Sequence, residues 1–420
     1  MIDLVLWCWL CQQMIGSRGL TVLTATAVLT IGGVSYASLG GGSATIKGCV
    51  GKRSGVLRVV GNGSHCRSSE RALTFAKKGP RGPQGLPGQQ GMAGPTGPPG
   101  PAGPSAYAVV QGGGCSGIQA AIDALPPAGG AVLVPAGTYV CTAPIEIDRN
   151  SVSLRGVGPA TVLRLGDEVN RPVLVVGEAV ASPTTIRRDI DVSDLAIDGN
   201  RTQQQFECSS GPCTGGEYLR NNGISLRHVE DVTVEHVSVT GARSGGLVVE
   251  LSSRRVRVHD FSASDSQFDG LAGYDTEDSV FSGLYLHDNA AAGLSFDNDF
   301  DGNTISDSVL ADNGDVGVFM RDATDNVFAA VRIRDSFKDG VYLAENNQNN
   351  DPALGNTFSD MVISGSGDVG APAEEGYGVK VVNASCTDNL LVASQLVDNR
   401  DGAVSEASVG LLTKSANVFR

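Results

Sequence analysis

Downstream of residue 220, apolar and polar positions alternate in short runs such as "GLSF", "NTI" and "SVL", each closed by Gly, Asn, Asp or Ser. A two-residue period predicts short strands, and the closing residues predict tight turns. The alternation itself repeats. Gly223, Gly246, Gly270, Gly293, Gly317 and Gly340 are spaced 23, 24, 23, 24 and 23 residues apart, and after an insertion Gly378 and Gly402 resume at 24. The residue after each glycine is apolar (Ile224, Leu247, Leu271, Leu294, Val318, Val341, Val379), and usually so is the one two further on (Leu226, Val249, Phe296, Met320, Leu343, Val381). A repeat of this length predicts single coils stacked along an axis with these side chains inside. Asn303, Asn326, Asn356 and Asn389 recur in matching turns, where their amides are expected to bond one another along the axis.

Leucine-rich repeats and β-helices share this period. The former need a leucine-dominated strand and often a helical return, whereas these repeats hold three brief alternating runs and no helical run. The pattern therefore predicts an all-β parallel β-helix, a single-stranded solenoid over residues 105–420. One amphipathic helix precedes it in "CSGIQAAIDALPPAGGAVLVPAGTYV": Ser116 is the expected cap, Ile118, Ile122 and Leu125 line one face, and Pro126-Pro127 stop it. A helix in that place would cover the open end of the solenoid, where unpaired backbone groups otherwise face water.

Before the solenoid the pattern changes twice. From Gly79 to Gly103 glycine falls on every third position with frequent proline, so residues 79–104 read as a collagen-like segment. Only glycine fits at the axis of three wound polyproline-II chains, which predicts a homotrimer; a stiff monomeric spacer is the alternative. Residues 38–78 form a small module with short alternating runs, similar to the cysteine-containing modules that precede collagen-like repeats in some bacterial secreted proteins. Residues 1–37 read as an export signal starting at Met14, with Arg18, the apolar run "LTVLTATAVLTIGGVSY" and a small-residue cleavage site at Ser35-Tyr36-Ala37; an uncleaved anchor is the other reading. Export permits disulfides, and Cys49 with Cys66 and Cys208 with Cys213 are the candidate pairs. Cys115 with Cys141 is a further candidate, which leaves Cys386 as a buried odd thiol. No Cys/His spacing suits zinc.

The formal charge of -14 conceals an asymmetry. Lys47 to Arg81 hold nine Lys+Arg and one acid, Glu70, while residues 82–420 hold 21 Lys+Arg and 43 Asp+Glu. Such an acidic body excludes nucleic acid as its partner, because phosphate binding rests on clustered cations.

If glycine opens the first strand of each coil, the fourth residue after it points outward, a column of Arg227, Glu250, Tyr274, Asp297 and Arg321. The next column reads His228, Leu251, Asp275, Asn298, Asp322 and Glu345. With coils roughly 4.8 Å apart, Tyr274, Asp275, Asp297, Arg321 and Asp322 are expected on one exposed strip, with Lys338 and Asp339 at its edge. The strip is either a catalytic or binding groove or a charge-balanced solvated face. Asp265, Asp288, Asp312 and Asp335 form a second acidic ladder read as turn residues, and His236, His259 and His287 are read as surface or turn-edge histidines.

Together with "IQAAIDALPPAGGAVLVPAGTYV", "VSLRGVG" and "VSDLAIDGN", this constellation resembles the right-handed parallel β-helix, pectin-lyase-like family over roughly residues 107–420. Its members are mostly secreted polysaccharide lyases, hydrolases and epimerases, with tailspikes and adhesins among them. "GYDTEDS", Gly273 to Ser279, is also similar to the "GFDPHDDS" motif of mannuronan C5-epimerases: Gly273, Tyr274 and Asp275 fit, while Thr276 and Glu277 replace the proline and the catalytic histidine, with one residue missing. The "NTD", "DD", "GHG" and "RIK" signatures of the polygalacturonases are absent.

The resemblance implies a secreted or cell-surface protein acting on polysaccharide, lyase- or epimerase-like on a uronate-containing glycan. In that chemistry a cation neutralises the carboxylate, a base takes the C5 proton and an acid protonates the leaving oxygen. Arg321, or calcium on Asp275 and Asp297, is the expected cation, with Lys338 or Tyr274 as base. No other cofactor is expected, and no membrane contact beyond the export signal. The alternative is a noncatalytic trimeric, collagen-stalked adhesin or carbohydrate-binding surface protein.

Overall fold

The structure is a computed structural model that describes residues 45–61, 64–76, 107–205, 218–368, 370–373 and 375–420. The export signal, the collagen-like segment and the Cys208–Cys213 pair lie outside the described residues. The chain divides into two units.

In the smaller unit, Thr45–Gly51 is the central strand of a three-stranded antiparallel sheet, flanked by Leu57–Val60 and Glu70–Ala76. So few residues cannot bury a sizeable core. The expected disulfide between Cys49 and Cys66 ties the central strand to the preceding turn of the third, with Cα atoms 5.5 Å apart.

The larger unit opens with a short strand, Tyr107–Val109, and the helix Gly114–Asp123, which buries Cys115, Ile118 and Ile122. Ser116 is not its cap. The cap lies three residues earlier, at Gly113 in the left-handed conformation (φ 88°), and the Ser116 hydroxyl donates to the Gly113 carbonyl from inside the first turn. Three successive glycines with positive φ at 112–114 let the backbone enter more tightly than a serine cap would. Cys115 and Cys141 are bonded, fastening the helix to the strand Gly137–Cys141.

Among the described residues, everything downstream belongs to the expected solenoid, a right-handed parallel β-helix. Each regular coil carries three strands, for example Leu294–Asp301, Thr304–Ser306 and Val309–Ala311, and each strand pairs in parallel with its counterpart in the next coil. Register follows the glycine repeat: Ile224, Leu247, Leu271, Leu294, Val318, Val341 and Val379 lie one above another and are fully buried.

The glycines are dictated by contact. A Cβ on Gly317 would lie 2.6 Å from the Gly340 carbonyl oxygen and 2.3 Å from a methyl of Ile333. The corresponding carbonyl of the next coil lies within 2.9 Å of the Cβ position at each column glycine from Gly223 to Gly378. At its last step the column departs from the sequence spacing. Gly402 pairs with Tyr377, and Ala403, whose carbonyl oxygen lies 2.8 Å from the Cβ position of Gly378, takes the glycine's place one residue later.

The asparagine ladder forms as expected. Asn326 donates through Nδ2 to Asn356 Oδ1 at 2.9 Å, Asn356 donates to Asn389 Oδ1 at 3.1 Å, and the Asn303 backbone N–H donates to Asn326 Oδ1 at 2.9 Å. Asp265, Asp288, Asp312 and Asp335 all have φ between 53° and 56°, which bears out their reading as turn residues. Cys386 is free and buried. Among the described residues no helix is long and apolar enough to cross a membrane.

Candidate functional site

The outer face of the first-strand sheet collects three columns of side chains. The residue before each stacked glycine contributes Asp269 and Asp339; the second after it contributes Ser295, Phe319, Tyr342 and Lys380; the fourth contributes Tyr274, Asp297 and Arg321.

The expected strip divides into three groups. Tyr274, Asp297 and Arg321 do come together: Tyr274 pairs with Asp297 in register, and Arg321 donates Nε to Asp297 Oδ2 at 3.1 Å, with its Nη2 on the same oxygen. Asp275 and Asp322 do not join them. Both have φ of 46°, and a register shift between Tyr274 and Thr276 breaks the strand's alternation there. Asp275 accepts from Ser252 Oγ at 2.9 Å and Asp322 from Asn349 Nδ2 at 2.8 Å, and the two flank Asp299, whose carboxyl is pushed up by burial and by both of them. Lys338 lies at the opposite edge of the sheet, 3.1 Å from Asp315 and 3.3 Å from Glu375.

These partners bear on the expected roles. Asp297 is 5% exposed, and its oxygens accept from Arg321, the Asn298 N–H and Asn346 Nδ2. The residues suggested for calcium, Asp275 and Asp297, are thus held by different partners. Arg321 is committed to Asp297 and stacks over Phe319 with its guanidinium carbon 4.9 Å from the ring centre. Burial alone would lower the pKa of Lys338, but Asp315 and Glu375 raise it, which keeps the ammonium protonated and works against its use as a base. Burial and the charges of Asp269 and Asp297 push the Tyr274 phenol well above its ordinary value. Tyr274 therefore stays a proton donor at neutral pH.

Arg227, expected in the exposed column, is buried. Its guanidinium donates to the carbonyls of Glu178 and Val180 at 3.0 and 2.8 Å, pairs with Glu250 at 2.8 Å and packs over Tyr218. The segment containing Glu178 thus covers the face at this coil.

The titratable groups with the largest shifts include two aspartates outside the outward column. Burial pushes Asp269 up to about 6, although it accepts from the Ala292 N–H at 3.0 Å. Burial likewise pushes Asp339 up to about 6, against the pull of the Tyr377 N–H at 2.8 Å and Lys380 at 3.9 Å. Asp339 is expected at the strip's edge, whereas Asp269 is not among the residues expected there. Its sequence signal is the recurrence of Asp-Gly at 269–270, 339–340 and 401–402. Ser295 lies against both Asp269 and Tyr274, and the exposed Arg220 is close enough to lower the pKa of each. Among the described residues Arg220 forms no ion pair.

Two further features shape the face. Phe319 and Tyr342 stack with ring centres 5.4 Å apart, an aromatic step of the kind on which a sugar ring can lie. The insertion after the 340 coil contributes a wall: Asn346 Nδ2 reaches Asp297 and Asn298, Asn349 reaches Asp322, and Ala353–Leu354 pairs with Ala323–Thr324.

Residues 222–405 match the family model described as a right handed beta helix region. No curated protein matches the chain. Among solved structures, the A-module of mannuronan C-5 epimerase AlgE4 from Azotobacter vinelandii is similar with a TM-score of 0.53 and 17% identity, covering 74% of this chain and 95% of that one. Endo-xylogalacturonan hydrolase from Aspergillus tubingensis has a TM-score of 0.50 and 10% identity, over 74% of this chain and 92% of that one. The pre-mature gene product 12 of bacteriophage phi29 has 0.50 and 14%, over 70% of this chain and 48% of that one. At these identities the likeness carries the fold. Two of these three neighbours are, by name, enzymes acting on polysaccharide.

Proposed function

We propose that this right-handed parallel β-helix protein is a secreted or cell-surface enzyme acting on a uronate-containing glycan by lyase- or epimerase-like chemistry, with its site on the outer face of the first-strand sheet around Asp269 and Tyr274. The observation that carries the reading is the joint presence there of a cation, Arg220, that forms no ion pair among the described residues, a carboxylate raised to about 6 and a phenol held protonated. Abstraction of a C5 proton needs one of each. Arg220 meets the substrate carboxylate, Asp269 takes the C5 proton, and Tyr274 donates to the leaving oxygen, with Ser295 orienting both. Asp297 and Arg321 hold the phenol's surroundings as a neutral pair, and the Phe319–Tyr342 step carries a neighbouring sugar ring. An acidic body would repel a polyuronate, and Arg220 offsets that repulsion at the site.

The test is to incubate the chain with alginate, pectate, glycosaminoglycans and neutral glycans, with and without calcium, and follow unsaturated products and C5 inversion. Asp269→Asn and Tyr274→Phe should each lower turnover by about 10²–10⁴-fold with the fold intact. Absence of turnover on every uronate polymer, or full activity in both variants, removes the proposal.

The second reading, a noncatalytic trimeric glycan-binding surface protein, is favoured by the collagen-like repeat at 79–103. It predicts glycan binding without turnover.

A further inference from the structure

Away from this face, two histidines and three carboxylates meet on the outer surface of the second-strand sheet. Glu235 pairs in register with Ser193 in the coil before it and His259 in the coil after it, and the residues that follow these three, Asp194, His236 and Asp260, all turn with φ between 49° and 55°. Stacking therefore puts His236 between two aspartates. Its Nδ1 lies 3.5 Å from Asp194 Oδ1 and its Nε2 lies 3.5 Å from Asp260 Oδ2. His259 meets the same group from the next coil, with Nε2 3.0 Å from Glu235 and Nδ1 3.7 Å from the same Asp260 oxygen. The two rings cross edge to face with centres 6.1 Å apart.

We infer that His236, His259 and Asp260 form a binding site for a divalent transition metal ion, with Zn²⁺ as the reference ion. Each imidazole turns one nitrogen toward an outer carboxylate, Asp194 or Glu235, and the other toward Asp260. A ligating histidine characteristically donates its second N–H to a carboxylate in this way, which sets the tautomer and leaves the inner nitrogen's lone pair for the ion. Asp194 is itself anchored by Arg155 at 2.9 Å, so it serves as the orienting partner. Separations of 3.5 and 3.7 Å between the shared oxygen and the two ring nitrogens suit a tetrahedral ion, whose ligands at ~2.0–2.2 Å stand roughly 3.3–3.5 Å apart. The remaining edge, between the two nitrogens, is wider than these two, and an ion would have to draw together side chains that are 54%, 36% and 61% exposed. A bound ion would link consecutive coils across this surface. Imidazolium rings bridging the carboxylates would give similar distances with no capacity for metal, and that rival decides the test.

The measurement is titration of the tag-free full chain with Zn²⁺ at pH 7.5 by calorimetry, with Co²⁺ absorption as a second readout. The expected result is one high-affinity equivalent that Ca²⁺ does not displace and a tetrahedral Co²⁺ spectrum. His236→Ala, His259→Ala and Asp260→Asn should each weaken binding at least tenfold. Glu235→Gln should weaken it by about 10-fold at unchanged stoichiometry, and His287→Gln, a histidine elsewhere on the surface, should leave it unchanged. Absence of binding, or equal affinity in the His236→Ala/His259→Ala double variant, overturns the site. Circular dichroism of the variants, all changed at exposed or half-buried side chains, separates loss of ligand from loss of fold.

Discussion

Asp269 and Asp339 occupy the same place in two coils, the residue before a stacked glycine, and in both burial pushes the carboxyl up to about 6. A carboxyl raised above its unfolded value of about 3.9 leaves the folded chain holding an extra proton between roughly pH 4 and pH 6, so stability falls as pH rises through that window and the loss is complete above it. Asp269→Asn removes this penalty. The variant is expected to be more stable than the natural chain at pH 7.5 by on the order of 1–3 kcal/mol, with the gap closing by pH 4. Denaturant titrations at the two pH values check this, and a destabilised variant at pH 7.5 would refute it. Stabilisation together with lost turnover is the signature of a residue retained for chemistry. The outward column was legible because alternation marks which side chains leave the core. Asp269 was hidden because it is raised by burial, against the pull of Ala292 and Ser295 in the next coil, and those neighbours stand 23 or more residues away in the chain.

At the level of the coil, glycine and asparagine do different work. The glycine column exists because each Cβ position is filled by the next coil's carbonyl, and at Gly317 also by an Ile333 methyl. Gly317→Ala should therefore destabilise the solenoid by about 1–3 kcal/mol, the usual range for overpacking, as read by urea unfolding, whereas an ordinary Gly→Ala change in an extended strand would be neutral or stabilising. Asn326 fills both halves of its amide, accepting from Asn303 and donating to the Phe300 carbonyl and Asn356. Asn326→Ala takes a partner from each of these buried groups and should cost at least about 1–3 kcal/mol in the same assay. The strand pattern and the stacking amides were visible in spacing alone. The register slip at Ala403 was not, because the coil that starts at Gly378 takes 25 residues to reach its partner position, whereas the glycine spacing pointed to Gly402.

For the whole molecule, the collagen-like repeat predicts three chains associated through residues 79–104. Light scattering should give the mass of a trimer for the full chain and of a monomer once 79–104 are deleted; equal masses would assign the repeat to a spacer. At this scale the period of the glycines, the alternation between them and the asparagine turns were sufficient to specify an all-β solenoid, its inward residues and its turns. Those features are local, and stacking identical coils simply repeats them. Chemistry depended on what the coils bring together. Lys338 acquires its acids from Asp315 and from Glu375 in the insertion, Arg321 is taken by Asp297, and Asp275 leaves the strip at a register shift. Each of these is a contact between segments more than twenty residues apart in the chain, and burial, charge pairing and rotamer at such contacts exist only once the coils are packed.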